Sequence, residues 1–121
     1  MIITQKSILT VSRNIPLQDV RTFVLRQAGF HVASARNDEE AIGFLQRANS
    51  FSLVVMCHSV PEVSRRVIAT KSKELNSKLP ILMLFNGYDS TIEPVDGLIH
   101  YLASPEAMLD MVRFLKTRNQ S

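Results

Sequence analysis

Five short apolar runs alternate along the chain with segments whose apolar residues recur every three or four positions, and this alternation limits the fold more than any other feature. A run of four to eight apolar residues with no polar alternation suits a strand buried on both faces. Residues 8–11, 53–57, 81–85 and 98–102 read this way, residues 31–35 more weakly because Ala and Ser are poor strand formers, and the 53–57 run (Leu-Val-Val-Met-Cys) has the character of a central strand. Between them lie helical patterns. Pro16 stands in a first turn, where its missing N–H has no partner to lose, and Leu17, Val20, Val24 and Ala28 follow as one face. Gly29 supplies a left-handed stop. Asn37 with Glu40 makes a capping box ahead of Ala41, Ile42, Leu45 and Ala48. Residues 62–76 form a third helix with Val63, Val67, Ile68 and Leu75 as a thin stripe in basic surroundings. Ser104, Pro105 and Glu106 open a last helix whose inner face is Met108, Met111 or Val112, and Leu115.

Strands that alternate with helices require right-handed crossovers, hence a parallel sheet covered on both faces. The expected architecture is a single α/β domain over residues 1–121, a flavodoxin-like three-layer sandwich with strand order 2-1-3-4-5. At 121 residues the chain holds one core and no second domain of ordinary size. Sites in such sheets form at the carboxyl ends of the strands. Those ends carry Ser12, Arg13 and Asn14; Cys57, His58 and Ser59; Phe85 and Asn86; and Ala103 and Ser104.

At these positions the chain resembles the response-regulator receiver domain, the CheY-like family, from about Ser7 to Leu115. Residues 52–57 followed by Pro61 look like the family's third strand, where a proline stands four residues after the phosphoacceptor. Residues 79–84 look like its fourth strand, and residues 97–105 like its fifth strand and the Lys-Pro end. The resemblance implies a signalling domain, and it also implies what is missing. The acidic pair that holds Mg²⁺ falls on Ser12 and Arg13, the phosphoaccepting Asp on Cys57, the switch hydroxyl on Phe85 and the phosphoryl-sensing Lys on Ser104. Mg²⁺ wants carboxylate oxygens, and a guanidinium repels it. The expectation is therefore an atypical receiver, not an enzyme, with no Mg²⁺, no cofactor and no Asp phosphorylation, that acts through protein contacts, a homodimer being one form. Between Gly87 and Gly97 the family places a full helix. Here Asp89, Pro94 and Asp96 mark an irregular connection, so the fourth helix is shortened or absent. Tyr101 matches the family's switch aromatic, and His100, Tyr101 and Met108 are the expected interaction surface.

Other readings of the same residues are weaker. Ser12, Arg13, Asn86 and Ser104 suggest an anion-sensing pocket, set against pairing of Arg13 with Asp38 or Glu62. Cys57 is expected as a buried small residue; neighbours on a strand point to opposite faces, which argues against a Cys57–His58 pair, and Arg13 is the cation that would lower its pKa for a redox role. With one cysteine, and His31, His58 and His100 on separate strands, no metal-ligand spacing exists. The loop of residues 12–17 has no glycine to cradle the phosphate of a flavin or nucleotide. Arg65, Arg66, Lys71, Lys73 and Lys78 read as a solvated face: 14 Lys and Arg against 11 Asp and Glu is a mild excess, and no aromatic is interleaved to stack on bases. No apolar run approaches membrane-spanning length, so the expected location is the cytoplasm. Residues 117–121 read as the start of a linker.

Overall fold

A computed structural model describes residues 7–47, 51–87 and 95–118. They form β1 (Ser7–Val11), α1 (Ile15–Gln27), β2 (His31–Ala35), α2 (Asp38–Arg47), β3 (Phe51–Cys57), α3 (Glu62–Leu75), β4 (Ile81–Phe85), β5 (Gly97–His100) and α4 (Pro105–Arg118). All strand pairs are parallel, in the order β2-β1-β3-β4-β5. This is the expected flavodoxin-like arrangement. Ala48, Asp89 and Pro94 lie outside the described residues, as do residues 119–121 of the expected linker.

Successive side chains on a strand point to opposite faces, so the sheet has two cores. Leu9, Val11, Val54, Met56, Ile81 and Met83 pack with Ala41, Leu45 and Ile68 on the α2–α3 side. Ile8, Leu53, Val55, Leu82 and Leu84 pack with Leu25, Met108, Val112 and Leu115 on the α1–α4 side. Cys57 continues the Leu53–Val55 series and so belongs to the α1 side.

The helix ends follow the sequence signals. Asn14 caps α1 through Leu17 N at 3.2 Å. Gly29, at φ +97°, closes it: the N–H groups of Gly29 and Phe30 return to Arg26 O and Leu25 O at 3.0 and 3.1 Å. Asn37 accepts from Glu40 N, while the Glu40 carboxylate takes Arg36 N, one residue before the usual capping-box partner. Ser104 caps α4 through Ala107 N at 3.1 Å.

Two helix faces differ from expectation. On α1 the buried residues are Gln18, Arg21, Thr22 and Leu25, while Val20 is 59% exposed. The helix is turned because polar groups are needed inside. Gln18 Nε2 donates to Thr10 O, Thr10 Oγ1 and Ala35 O, which ties the ends of β1 and β2 together. On α3, of the four expected apolar residues, Ile68 is buried and Val63, Val67 and Leu75 are exposed. Small residues, Ser64, Ala69 and Ser72, take the inner positions, and Ser72 Oγ satisfies itself on Ile68 O at 2.8 Å. The basic stretch is not uniformly solvated either. Arg65 is buried with Nη1 on Val60 O at 3.1 Å, Arg66 pairs with Glu62, and Lys73 pairs with Asp96.

Among the described residues no helix lies between β4 and β5. What holds the start of β5 is Asp96. Both backbone groups of Ile81 point toward β5: its carbonyl accepts from Asp96 N at 2.8 Å, and its N–H donates to Asp96 Oδ2 at 2.8 Å. Lys73 Nζ reaches across from α3 to Asp96 Oδ2 at 2.9 Å and to Leu79 O at 2.8 Å. β5 is shorter than the sequence pattern suggests. Tyr101 N makes the final bond to Phe85 O, and Ala103 N turns back onto His100 O.

Candidate functional site

The carboxyl ends of β1 and β3 meet through Ser59. Its Oγ accepts from Arg13 N at 2.9 Å and Asn14 N at 3.1 Å, and lies 3.2 Å from Ser12 Oγ. Ser12, 2% exposed, also exchanges bonds with the Asn14 backbone. These hydroxyls and amides close the loop after β1 onto the turn after β3. Ser59 was placed at the carboxyl end of β3 by the sequence, but its part in joining the two loops was not, since a lone Ser in a turn carries no distinguishing signal.

Arg13 turns away from this cluster. Its Nη2 bonds Asp38 Oδ1 at 3.1 Å, while Asp38 Oδ2 accepts from Ser64 Oγ at 2.8 Å. The pairing of Arg13 with Asp38 is thus one of the two partners expected, and Arg13 is not the cation of the cysteine. That role falls to Arg21 of α1, a residue the apolar stripe concealed. Arg21 is 9% exposed. Its Nη1 donates to Cys57 Sγ at 3.1 Å and its Nη2 to Tyr101 O at 3.1 Å. One guanidinium therefore joins the end of β3 to the turn after β5.

Cys57 is 1% exposed. Burial opposes ionisation of its thiol. Hydrogen bonds from the Ser59 hydroxyl and backbone N–H, and then the Arg21 guanidinium, favour the thiolate and together outweigh burial, so the pKa lies below the ordinary thiol range. His58 Nδ1 is 3.6 Å from Cys57 Sγ, contrary to the opposite-faces argument. That argument applies inside a strand. Cys57 is the last strand residue and His58 begins a turn, where the alternation is lost.

An aromatic group sits beside this cysteine. His58 lies against Tyr101 with ring centroids 4.2 Å apart, Tyr101 neighbours His100 at 5.0 Å, and Phe85 meets His100 edge-on at 6.0 Å. His100 is exposed and Tyr101 half-buried. Met108, expected on the interaction surface, is 6% exposed and belongs to the α1–α4 core, because it shares its helical face with Val112 and Leu115.

The five residues expected to line one pocket do not converge. Ser12 and Cys57 border a void of about 10 Å³ with Thr10, Gln18 and Arg21, at the lower limit for a single water. Phe85 packs toward the α2–α3 core and Ser104 serves as a helix cap. Among the described residues no cluster of three or more His, Cys, Asp or Glu is placed to hold a metal ion. Nor is any helix among them long and apolar enough to cross a membrane.

No protein-family model matches the chain, and no curated protein matches it. Solved structures do. A CheY-like receiver domain protein from Methanospirillum hungatei JF-1 superposes with a TM-score of 0.85 at 18% identity, covering 97% of this chain and 98% of its own. The chemotaxis response regulator CheY4 of Vibrio cholerae gives 0.80 at 20% identity, over 93% and 99%. The response regulator TrrA of Thermotoga maritima, solved with Mg²⁺ and BeF, gives 0.78 at 21%, over 92% and 99%. These likenesses concern architecture, and on them the chain has the fold of a CheY-like response-regulator receiver domain.

Proposed function

We propose that this chain is a signalling module of the receiver type that works by protein–protein contact and is not phosphorylated on an aspartate. One observation carries the reading: at the position of the phosphoacceptor stands Cys57, held by a buried guanidinium. A thiol there cannot form the acyl phosphate of an aspartate. The residues present do not fit Mg²⁺ either. Ser12 and Arg13 replace the acidic pair, and Arg21 adds a second fixed cation at Cys57. No phosphotransfer step is assigned to them.

The contact surface is the β5 edge with the turn that follows. Leu98 is 45% and Leu102 66% exposed, next to His100 and Tyr101. An edge strand bearing apolar side chains favours pairing with another chain, and a second copy is the simplest partner.

Two measurements test the reading. Incubation with acetyl phosphate and Mg²⁺ should leave the intact mass unchanged; gain of one phosphoryl mass on the wild type would defeat it. Sedimentation velocity should show a dimer that Leu98→Lys with Leu102→Lys dissociates. A wild-type monomer at high micromolar concentration would remove the self-association, leaving a different protein as partner.

A second reading has one observation in its favour: the lowered Cys57 thiol suits a redox-responsive domain. Its near-complete burial weighs against it. Anion sensing at Arg13 would require breaking the Arg13–Asp38 pair.

A further inference from the structure

Between α1, β5 and the start of α4 lies a cavity of about 220 Å³ that shares Arg21 and Leu84 with the void at Cys57 and takes His100, Tyr101 and Leu102 from the turn after β5. Its walls are hydrocarbon: Leu17 and Val24 from α1, Leu84 and Ile99 from the sheet, Met108 from α4. Three lining side chains are polar: Arg21, His100 and Tyr101. Arg21 lines the cavity, and its bonds to Cys57 Sγ and Tyr101 O take two of its five N–H donors. His100 also lines it. Its Nδ1 accepts from Leu102 N at 3.1 Å, which leaves Nε2 to carry the ring proton as a donor. Ala103 and Pro105 bring the positive end of the α4 dipole to the cavity wall. None of the described residues lining the cavity is acidic.

An apolar chamber with one fixed guanidinium in its wall, no carboxylate, and otherwise only His100 and Tyr101 as polar side chains matches an apolar anion. The volume is below the roughly 300–1,000 Å³ of pockets for drug-sized molecules, so the occupant is about one ring with a short chain. We propose that this cavity binds a small apolar monocarboxylate, its hydrocarbon between α1 and α4 and its carboxylate on Arg21. A carboxylate there gains charge-assisted bonds from a guanidinium already desolvated and fixed in place, so little ordering is lost on binding. The neutral alcohol of the same skeleton keeps the hydrocarbon contacts and loses this part.

The test uses the intact chain, uniformly labelled with ¹⁵N, titrated with 4-phenylbutyrate and separately with 4-phenyl-1-butanol. The acid should give saturable amide shifts centred on Val24, Ile99 and Met108 and bind about tenfold or more tighter than the alcohol, the order expected for a hydrogen bond to a charged group. Arg21→Gln should erase the preference for acid over alcohol. Val24→Phe, which fills the chamber without touching a polar group, should abolish binding of both; this variant keeps the Arg21 bonds and so reports on the cavity if Arg21→Gln does not fold. Equal affinity for acid and alcohol, or an unchanged titration in Val24→Phe, would each overturn the proposal. None of these outcomes depends on phosphorylation, and running the same titration on Leu98→Lys, which leaves the cavity lining intact, separates masking by a second copy from the absence of a site; no saturable shift in either form overturns the proposal.

Discussion

Replacing Asp96 by Ala tests how β5 is held when no helix among the described residues lies beside its entry. Asp96 acts as a strand residue made partly of side chain: its N–H and its Oδ2 meet the carbonyl and the N–H of Ile81, which is fully buried. Removing the carboxylate leaves the Ile81 N–H without that acceptor. A hydrogen bond to a charged group contributes about 1.5–3 kcal/mol when its neutral partner is left unsatisfied inside the protein. The Lys73–Asp96 pair adds less. Its side chains are 24% and 22% exposed, so solvent screening holds its share to about 0.5–1 kcal/mol. The sum is about 2–4 kcal/mol, a large part of the roughly 5–15 kcal/mol that stabilises a domain. Urea unfolding should show this loss with an unchanged slope, and thermal unfolding a fall of roughly 10 °C. Asp96→Asn keeps an acceptor for Ile81 and should cost about half as much. A double-mutant cycle with Lys73→Met isolates the ion pair and should return about 0.5–1 kcal/mol. If Asp96→Ala lies within about 0.5 kcal/mol of wild type, the carboxylate does not hold the strand and the reasoning fails.

Other outcomes follow from the same structure. Because the Cys57 pKa is depressed in the folded chain, its contribution to stability is complete above the ordinary thiol pKa of about 8.5 and is lost as pH falls through the lower folded value. The stability difference between wild type and Cys57→Ser should therefore grow with rising pH and level off in the alkaline range, and a difference that shrinks would contradict the assignment. Arg21→Gln should move the pH midpoint of Cys57 alkylation in denaturant-free buffer upward, whereas Arg13→Gln should leave it in place. Gly97→Ala places a Cβ 3.1 Å from Leu115 Cδ1 and 3.4 Å from Leu82 Cδ1, so it should destabilise by about 1 kcal/mol, read by urea unfolding; a stabilised variant would mean the core yields freely there. Arg13→Ala should change stability by less than about 1 kcal/mol, since the Arg13 and Asp38 side chains are 40% and 38% exposed.

The sheet was legible because buried parallel strands are apolar throughout, and the run at residues 81–85 marks β4 to the residue; β2, an edge strand reading His-Val-Ala-Ser-Ala, was placed at 31–35 by the helical patterns on either side of it. The helix ends were legible at Asn37, Ser104 and Gly29, where one side chain or one φ angle decides the local structure. The helix faces were not. Hydrophobic periodicity assumes that inward positions are apolar. On α1, Gln18 and Arg21 break that assumption because β1, β2 and Cys57 offer acceptors that a polar side chain can satisfy inside. On α3 small residues go in and valines stay out. For the same reason the site was half readable. Ser12, Cys57 and Ser59 were placed by strand position alone, whereas the Ser12–Ser59 contact and the recruitment of Arg21 to Cys57 join residues 47 and 36 apart in sequence, which no local pattern encodes.

The guanidinium bridge from Cys57 to Tyr101 has a consequence for how such a chain would carry information. In a device thrown by a transient modification, the two arms meet only while the modification lasts. Here they are joined by a residue that keeps its charge without any modification, so the contact to the Tyr101 carbonyl needs no chemical event to form. A chain built this way would report on its own abundance, or on whatever molecule prises the arginine loose.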